Sequence, residues 1–233
     1  GIVHEPDDIR PDNPPVNPEL LSCLEEEFWK ADCDLRHLYR LILNSATYQQ
    51  SPIPQSEHPE TEALFAVYPV RQLDAEVLLD ALNWLAGKGE GYSSAIPEPF
   101  THVPSSNRTI TLADGSITSQ FLEMFGRPPR DTGLESERRH SATDAQRLHM
   151  LNSTHVQQKI EQSPRLKGLL MKARGKPPVL VRGLYIALLS RPPLPEELRT
   201  AGAYFGEKGI GFRQGAQDLC WALLNSKEFL YRH

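Results

Sequence analysis

Proline sets the grain of this chain. Twenty of its 233 residues are Pro, and four Pro-Pro pairs stand at Pro14/Pro15, Pro128/Pro129, Pro177/Pro178 and Pro192/Pro193. Proline has no backbone N–H and its ring clashes with the preceding turn, so no long helix runs through such a pair and no central strand takes one in. The chain is therefore cut into many short elements joined by loops.

Between the breaks, apolar residues recur at helical spacing. Residues 1–16 hold prolines 6, 11, 14 and 15 and read as an extended arm. Asn17-Pro18-Glu19 then combines an N-cap, a proline at the first helical position and an acid in the first turn, predicting a helix to about Ala31 with Leu20, Leu21, Leu24 and Phe28 on one face. Asp34 caps a second helix, closed at Asn44, and the two are expected to form a hairpin. Leu73 to Ala86 forms a third, stopped by Gly87. The Gly/Pro/Ser-rich stretch 87–116 holds one β-like run, Arg108 to Leu112, read as a short strand or hairpin. Further helices are predicted over Ile117–Phe125, Thr143–Leu151, Ser153–Gln162, Pro164–Ala173, Val179–Ser190, Pro195–Phe205 and Phe212–Leu224. The fold class is mainly α: one multi-helix, orthogonal or bundle-like domain of about nine or ten short helices, with at most one short β-hairpin. Its parts are the arm 1–16, an acidic helical half 17–86, the loop 87–116 and a basic helical half 117–233.

Charge is divided along the chain. Residues 1–116 carry 7 Lys and Arg against 19 Asp and Glu, whereas residues 117–233 carry 18 against 11, so a net −5 hides halves of −12 and +7. The mean hydropathy of −0.45 and the lack of any uncharged apolar run of about 18–20 residues exclude a membrane span. The chain starts at Gly1 with neither Met nor a signal sequence, which reads as a piece of a longer parent protein. Cys23, Cys33 and Cys220 form no CxxC or CxxCH, so no zinc ribbon or covalent haem site is encoded; a Cys23–Cys33 disulfide and free thiols both stand open.

Signatures of catalysis are missing: no GxSxG, HExxH, Walker loop or EF-hand loop occurs. The glycines of Gly87-Lys88-Gly89-Glu90-Gly91 follow a helix, where a dinucleotide loop needs a strand, and read as a helix stop. His4, Glu5, Asp7 and Asp8 are suitable cation ligands, but nothing makes them converge, and no metal is assigned. His149 and His155, six apart across a break, lack the i,i+4 ligand spacing and are assigned to packing or capping. The densest chemistry is Phe125 to His140, where Arg127, Arg130, Arg138 and Arg139 interleave with Asp131, Glu135 and Glu137. Bidentate guanidinium–carboxylate pairs suit either a structural clasp or a site for an anionic or carbohydrate group, with Arg127, Arg130, Asp131, Glu135, Glu137 and Arg138 as the ligand-binding candidates. A second candidate surface lies in Lys159 to Arg182, with seven basic residues against one acid and Leu166, Leu169, Leu170 and Ala173 along one helical side. Lys167, Lys172, Arg174 and Lys176 are its partner-binding candidates; with no aromatic residue in the stretch, nucleic acid is not the expected partner.

Several blocks carry a family resemblance: Gly1 to Asp8, Asn13 to Leu21, Arg40 to Tyr48, Arg71 to Glu76, Phe125 to Arg139, Gln146 to Asn152, Leu184 to Arg191 with Pro195-Glu196-Glu197, and Asp218 to Leu230. Together they resemble the C-terminal domain of unknown function found in large exported proteins of planctomycetes and verrucomicrobia, which often also carry a planctomycete-type cytochrome c domain. The resemblance implies export to the periplasm or a related compartment and domains upstream. Any c-type haem would belong to another domain, with no cofactor here. Function is then expected to be non-catalytic: a helical docking or accessory domain whose partners are upstream domains of the same polypeptide, a protein partner or an anionic polysaccharide. The alternative is an enzyme, or a domain completing one, acting on extracellular carbohydrate or another anionic polymer.

Overall fold

Asn17 opens the first helix as predicted, its side chain accepting from the Leu20 N–H at 3.0 Å. The structure is a computed structural model, and it describes residues 3, 10–53, 58, 61, 65–68, 70–93, 102–112, 117–128 and 137–232. These residues are mainly helical, and they fall into two compact units: residues 1–71 with 134–137 and 233, and residues 72–133 with 138–232. Among the described residues no helix is long and apolar enough to cross a membrane.

The first unit holds α1 (Pro18–Lys30) and α2 (Leu35–Leu43), which pack against each other. Asp34 caps α2 through the Arg36 N–H at 2.8 Å. Both helices are amphipathic, yet neither has a fully buried residue; Leu21, Leu24, Phe28, Leu38 and Ile42 are half-buried, and Trp29, Leu35 and Tyr39 are exposed. Two helices alone offer too little surface to close a dry core.

The second unit is built on α3 (Ala75–Ala86) and α8 (Pro177–Leu189). Leu78, Leu79, Leu82 and Leu85 bury one face of α3, which packs on α4 (Gln120–Met124), α6 (Thr154–Glu161) and α7 (Pro164–Ala173). Leu180, Val181 and Leu184 bury α8 among α7, α9 (Pro195–Phe205), α10 (Phe212–Leu224) and α11 (Lys227–Leu230). Between α4 and α6 lies α5 (Asp144–Asn152), opened by a Thr143/Gln146 capping box. The Leu73 N–H donates to the Leu230 carbonyl at 2.9 Å, tying the start of the unit to its end.

The end of α3 meets the start of α7 in a joint. Gly87 closes α3 at φ +72°, and a Cβ there would stand 2.5 Å from Pro164 Cγ, so both the conformation and the close approach call for glycine. Ser163 Oγ caps α7 through the Leu166 N–H and donates to the Leu85 carbonyl at 2.6 Å. Arg165 Nε donates to the Trp84 carbonyl at 2.6 Å while its guanidinium lies 4.0 Å over the Trp84 ring. Two carbonyls of the last turn of one helix thus accept from the first turn of the other.

Two expectations are corrected. The run Arg108 to Leu112 is not a strand; Thr109–Thr111 is a 3₁₀ turn, because Asp80 on α3 accepts from the N–H groups of Thr109 (2.6 Å) and Ile110 (3.2 Å) and so takes up donors a ladder would need. An antiparallel pair lies instead between Tyr92–Ser93 and His102–Val103. And α8 begins at Pro177, two residues before the predicted Val179, since its Pro-Pro pair occupies the first turn, where no intrahelical N–H bond is lost.

Candidate functional site

Gly126 decides the geometry of the Arg/Glu segment. It sits at φ +98°, its carbonyl accepts from the Arg139 N–H at 3.1 Å, and the Arg139 carbonyl presses on the face where a side chain would start. The segment is pinned there, which brings Arg127 and Arg138 onto the same side of α3. Both guanidiniums converge on Glu76. Arg138 binds it in bidentate fashion (Nη1–Oε2 3.0 Å, Nη2–Oε1 2.9 Å), and Arg127 Nε reaches Oε1 at 3.2 Å. Arg127 also donates to the carbonyls of Ile117 at 2.6 Å and Leu112 at 3.5 Å. Burial works to raise the Glu76 carboxyl, but the hydrogen bonds and charge of Arg138, its own backbone and Arg127 outweigh that, holding it below the usual carboxylate range. A concavity beside Arg138 and Arg139 has a volume of about 10 Å³, room for a single water.

Of the six ligand-binding candidates, Arg127 and Arg138 are engaged with Glu76, Glu137 is half-buried, and Arg130, Asp131 and Glu135 lie outside the described residues, as do His4, Glu5, Asp7 and Asp8. Among the described residues no group of three or more His, Cys, Asp or Glu side chains is placed to hold a metal ion. All three cysteines are free thiols, with Cys23 and Cys33 exposed and Cys220 buried in α10.

Glu76 itself carries no signature in the sequence, yet one signal was present. With Asn83 it lies seven residues apart on the Leu-rich stripe of α3, and both are buried. A polar pair on a core-facing stripe needs partners. Asn83 meets Lys159 Nζ at 2.6 Å, and Lys159 also pairs with Glu90 at 2.9 Å. His155 Nε2 lies 2.8 Å from the same Glu90 oxygen, and His149 Nε2 lies 3.4 Å from His155 Nδ1, with Phe121 edge-on to both rings. Burial opposes ionisation of Glu90, but His155 and Lys159 prevail and lower its carboxyl to about 2. Burial, then the neighbouring His155, lowers His149. Far from here, Arg191 forks both Glu197 (2.8 Å, 2.8 Å) and Glu228 (2.6 Å, 2.7 Å) and lies 5.4 Å over the Tyr185 ring.

The basic stretch divides by use. Lys159 and Arg165 are engaged internally, as described, whereas Lys167, Lys172, Arg174 and Lys176 are all exposed, and none is ion-paired with another described residue. Leu166 and Ala173 are buried and Leu169 and Leu170 half-buried on the opposite side of α7, so packing turns Lys167 and Lys172 outward. Arg174 follows in a left-handed conformation at φ +47°, and Lys176 precedes α8.

Compared with known proteins, residues 1–205 match the sequence model of a family described as "PSD1: Protein of unknown function (DUF1553)". No curated protein and no solved structure matches the chain.

Proposed function

We propose, from the premise that this chain belongs to the PSD1 family of proteins of unknown function, that it is a non-catalytic helical docking domain. In this reading it serves an exported multidomain bacterial protein and engages an acidic surface of an upstream domain or of a partner protein. Periplasmic location belongs to the same proposal, as does any c-type haem, carried by another domain. The observation that carries it is the set of four exposed cations, Lys167, Lys172, Arg174 and Lys176, which pair with no carboxylate among the described residues of a unit that pairs Arg127, Arg138, Lys159 and Arg191 internally. Concentrated like charge raises association rates and selects partners of opposite sign.

Replacing Lys167, Lys172 and Arg174 together by Gln tests this against purified upstream domains and, as a second arm, a sulfated polysaccharide. With the fold intact, affinity should fall and its dependence on salt should flatten, since screening acts over about 8 Å in physiological salt. Unchanged affinity and salt dependence would sink the docking reading. Binding lost only for the polysaccharide would replace the protein partner by a polyanion.

A further inference from the structure

The second unit also contains a cavity of about 640 Å³ among α8, α9 and α10, within the range of small-ligand sites. Tyr185, Tyr204, Phe205 and Trp221 supply rings to its walls, and Glu196 and Asp218 supply carboxylates. Helical spacing explains the grouping. Asp218 and Trp221 are three apart on α10, and Glu197, Ala201 and Tyr204 repeat at four and three on α9. The Phe205 ring stands against Gly215, where a Cβ would meet it at 2.6 Å, and Ala201 and Ala222 leave space where larger side chains would fill it.

The charge inside this space is one-sided. Among the described residues no lysine or arginine lines it. Glu197, also in the wall, is neutralised by the Arg191 fork, and Glu196 has only an exposed contact with Arg199 at 3.6 Å. Asp218 accepts from the Tyr204 hydroxyl at 2.6 Å and from Gln214 Nε2 at 2.8 Å, both neutral donors. Among the described residues no cation pairs with Asp218, which stands beside the aromatic rings. Ring faces attract cations, and the combination of several rings with an uncompensated carboxylate selects an organic ammonium over a neutral apolar molecule. Arg191, 5.4 Å over the Tyr185 ring, already shows one wall ring accepting a cation.

We propose that the cavity among α8, α9 and α10 binds an organic cation, its ammonium facing Asp218 and its aliphatic body against Tyr204 and Trp221. The shared chemistry has two sources, a free small amine or a lysine side chain of a protein. This site is separate from the basic surface and does not rest on the docking reading.

The probes are choline, its uncharged isostere 3,3-dimethyl-1-butanol, and N-acetyl-lysine amide, titrated against the full chain by calorimetry and ligand-methyl NMR. A cation should bind with upfield-shifted methyl or methylene signals from the rings, and the neutral alcohol should bind at least fivefold more weakly, roughly the worth of one charge contact near a surface. Whichever cation binds more tightly names the source. Asp218→Asn should weaken the cation about fivefold to tenfold at unchanged melting temperature. Exposed Glu196→Gln, which cannot disturb packing, should weaken it less. Equal binding of the alcohol, an Asp218→Asn variant that binds as before, or no response to either cation up to about 50 mM would each overturn the proposal.

Discussion

Removing the Glu76 carboxylate is the most direct perturbation of this fold. The Glu76 and Arg127 side chains are 6% and 5% exposed, whereas Arg138 is 26% exposed. In Glu76→Ala, Arg138 can turn to water and contributes little to the loss. Arg127 cannot; it stays buried beside the Ile117 and Leu112 carbonyls with the Glu76 carboxylate gone. A buried charge deprived of its partner costs about 3–5 kcal/mol. For a chain of this size each kcal/mol moves the melting temperature by roughly 2–4 °C, so Tm should fall by about 6–20 °C. Glu76→Gln keeps shape and an acceptor and should fall about half as far. The double variant Glu76→Leu/Arg127→Met removes both charges but also the hydrogen bonds from Arg127 to the Ile117 and Leu112 carbonyls, so it should recover only part of the loss. Thermal unfolding followed by far-ultraviolet circular dichroism measures all three. A Glu76→Ala protein melting within about 2 °C of the parent would refute the reasoning, because Arg127 would then have found water or another partner.

Three further outcomes are expected. Gly87→Ala places a methyl against Pro164 at φ +72°, and should cost more than about 1 kcal/mol in chemical denaturation, whereas Gly91→Ala, which meets nothing within 4 Å, should be nearly neutral. Glu90 is lowered from 4.5 to about 2, so its contribution is complete above about pH 4.5 and is lost as pH falls toward 2; Glu90→Gln should remove about 1–3 kcal/mol at pH 7 and flatten this acid limb, and an unchanged limb would show the ion pairs to be idle. Burial pushes the Cys220 thiol up to about 12, so iodoacetamide at pH 8 should label the exposed Cys23 and Cys33 of the reduced native protein and reach Cys220 only in denaturant, as mass spectrometry would count.

Local signals were legible in the sequence wherever one residue settles its own neighbourhood. Asn17, Asp34, Gly87 and the prolines at the first positions of α1, α7 and α9 mark their boundaries through caps and fixed φ alone. The run Arg108 to Leu112 was misread because its fate depends on Asp80, some thirty positions away, and no local pattern reports that. The same limit hid the site partners. Arg127 and Arg138 stand out as charges in a Gly/Pro-rich loop, but their carboxylate arrives from α3, 62 residues before Arg138. Outward cations were easier, since Leu166 and Ala173 define the inner side of α7 and leave Lys167 and Lys172 no other direction. A cavity is hardest to foresee, because Ala201 and Ala222 shape it by what their small side chains leave unfilled.

The joint between the end of α3 and the start of α7 has a topological consequence. Ser163 and Arg165 clasp Leu85 and Trp84 across 78 and 81 positions of sequence, so the chain between them is a loop whose two ends are already fastened without a covalent bond. A single backbone cut inside that loop would give two pieces still sharing this clasp and the buried faces of α3, α6 and α7. Two separately made polypeptides divided there would then reassemble by finding each other's helix ends, and the spacing between those ends is free to change at a cost that grows only with the logarithm of loop length.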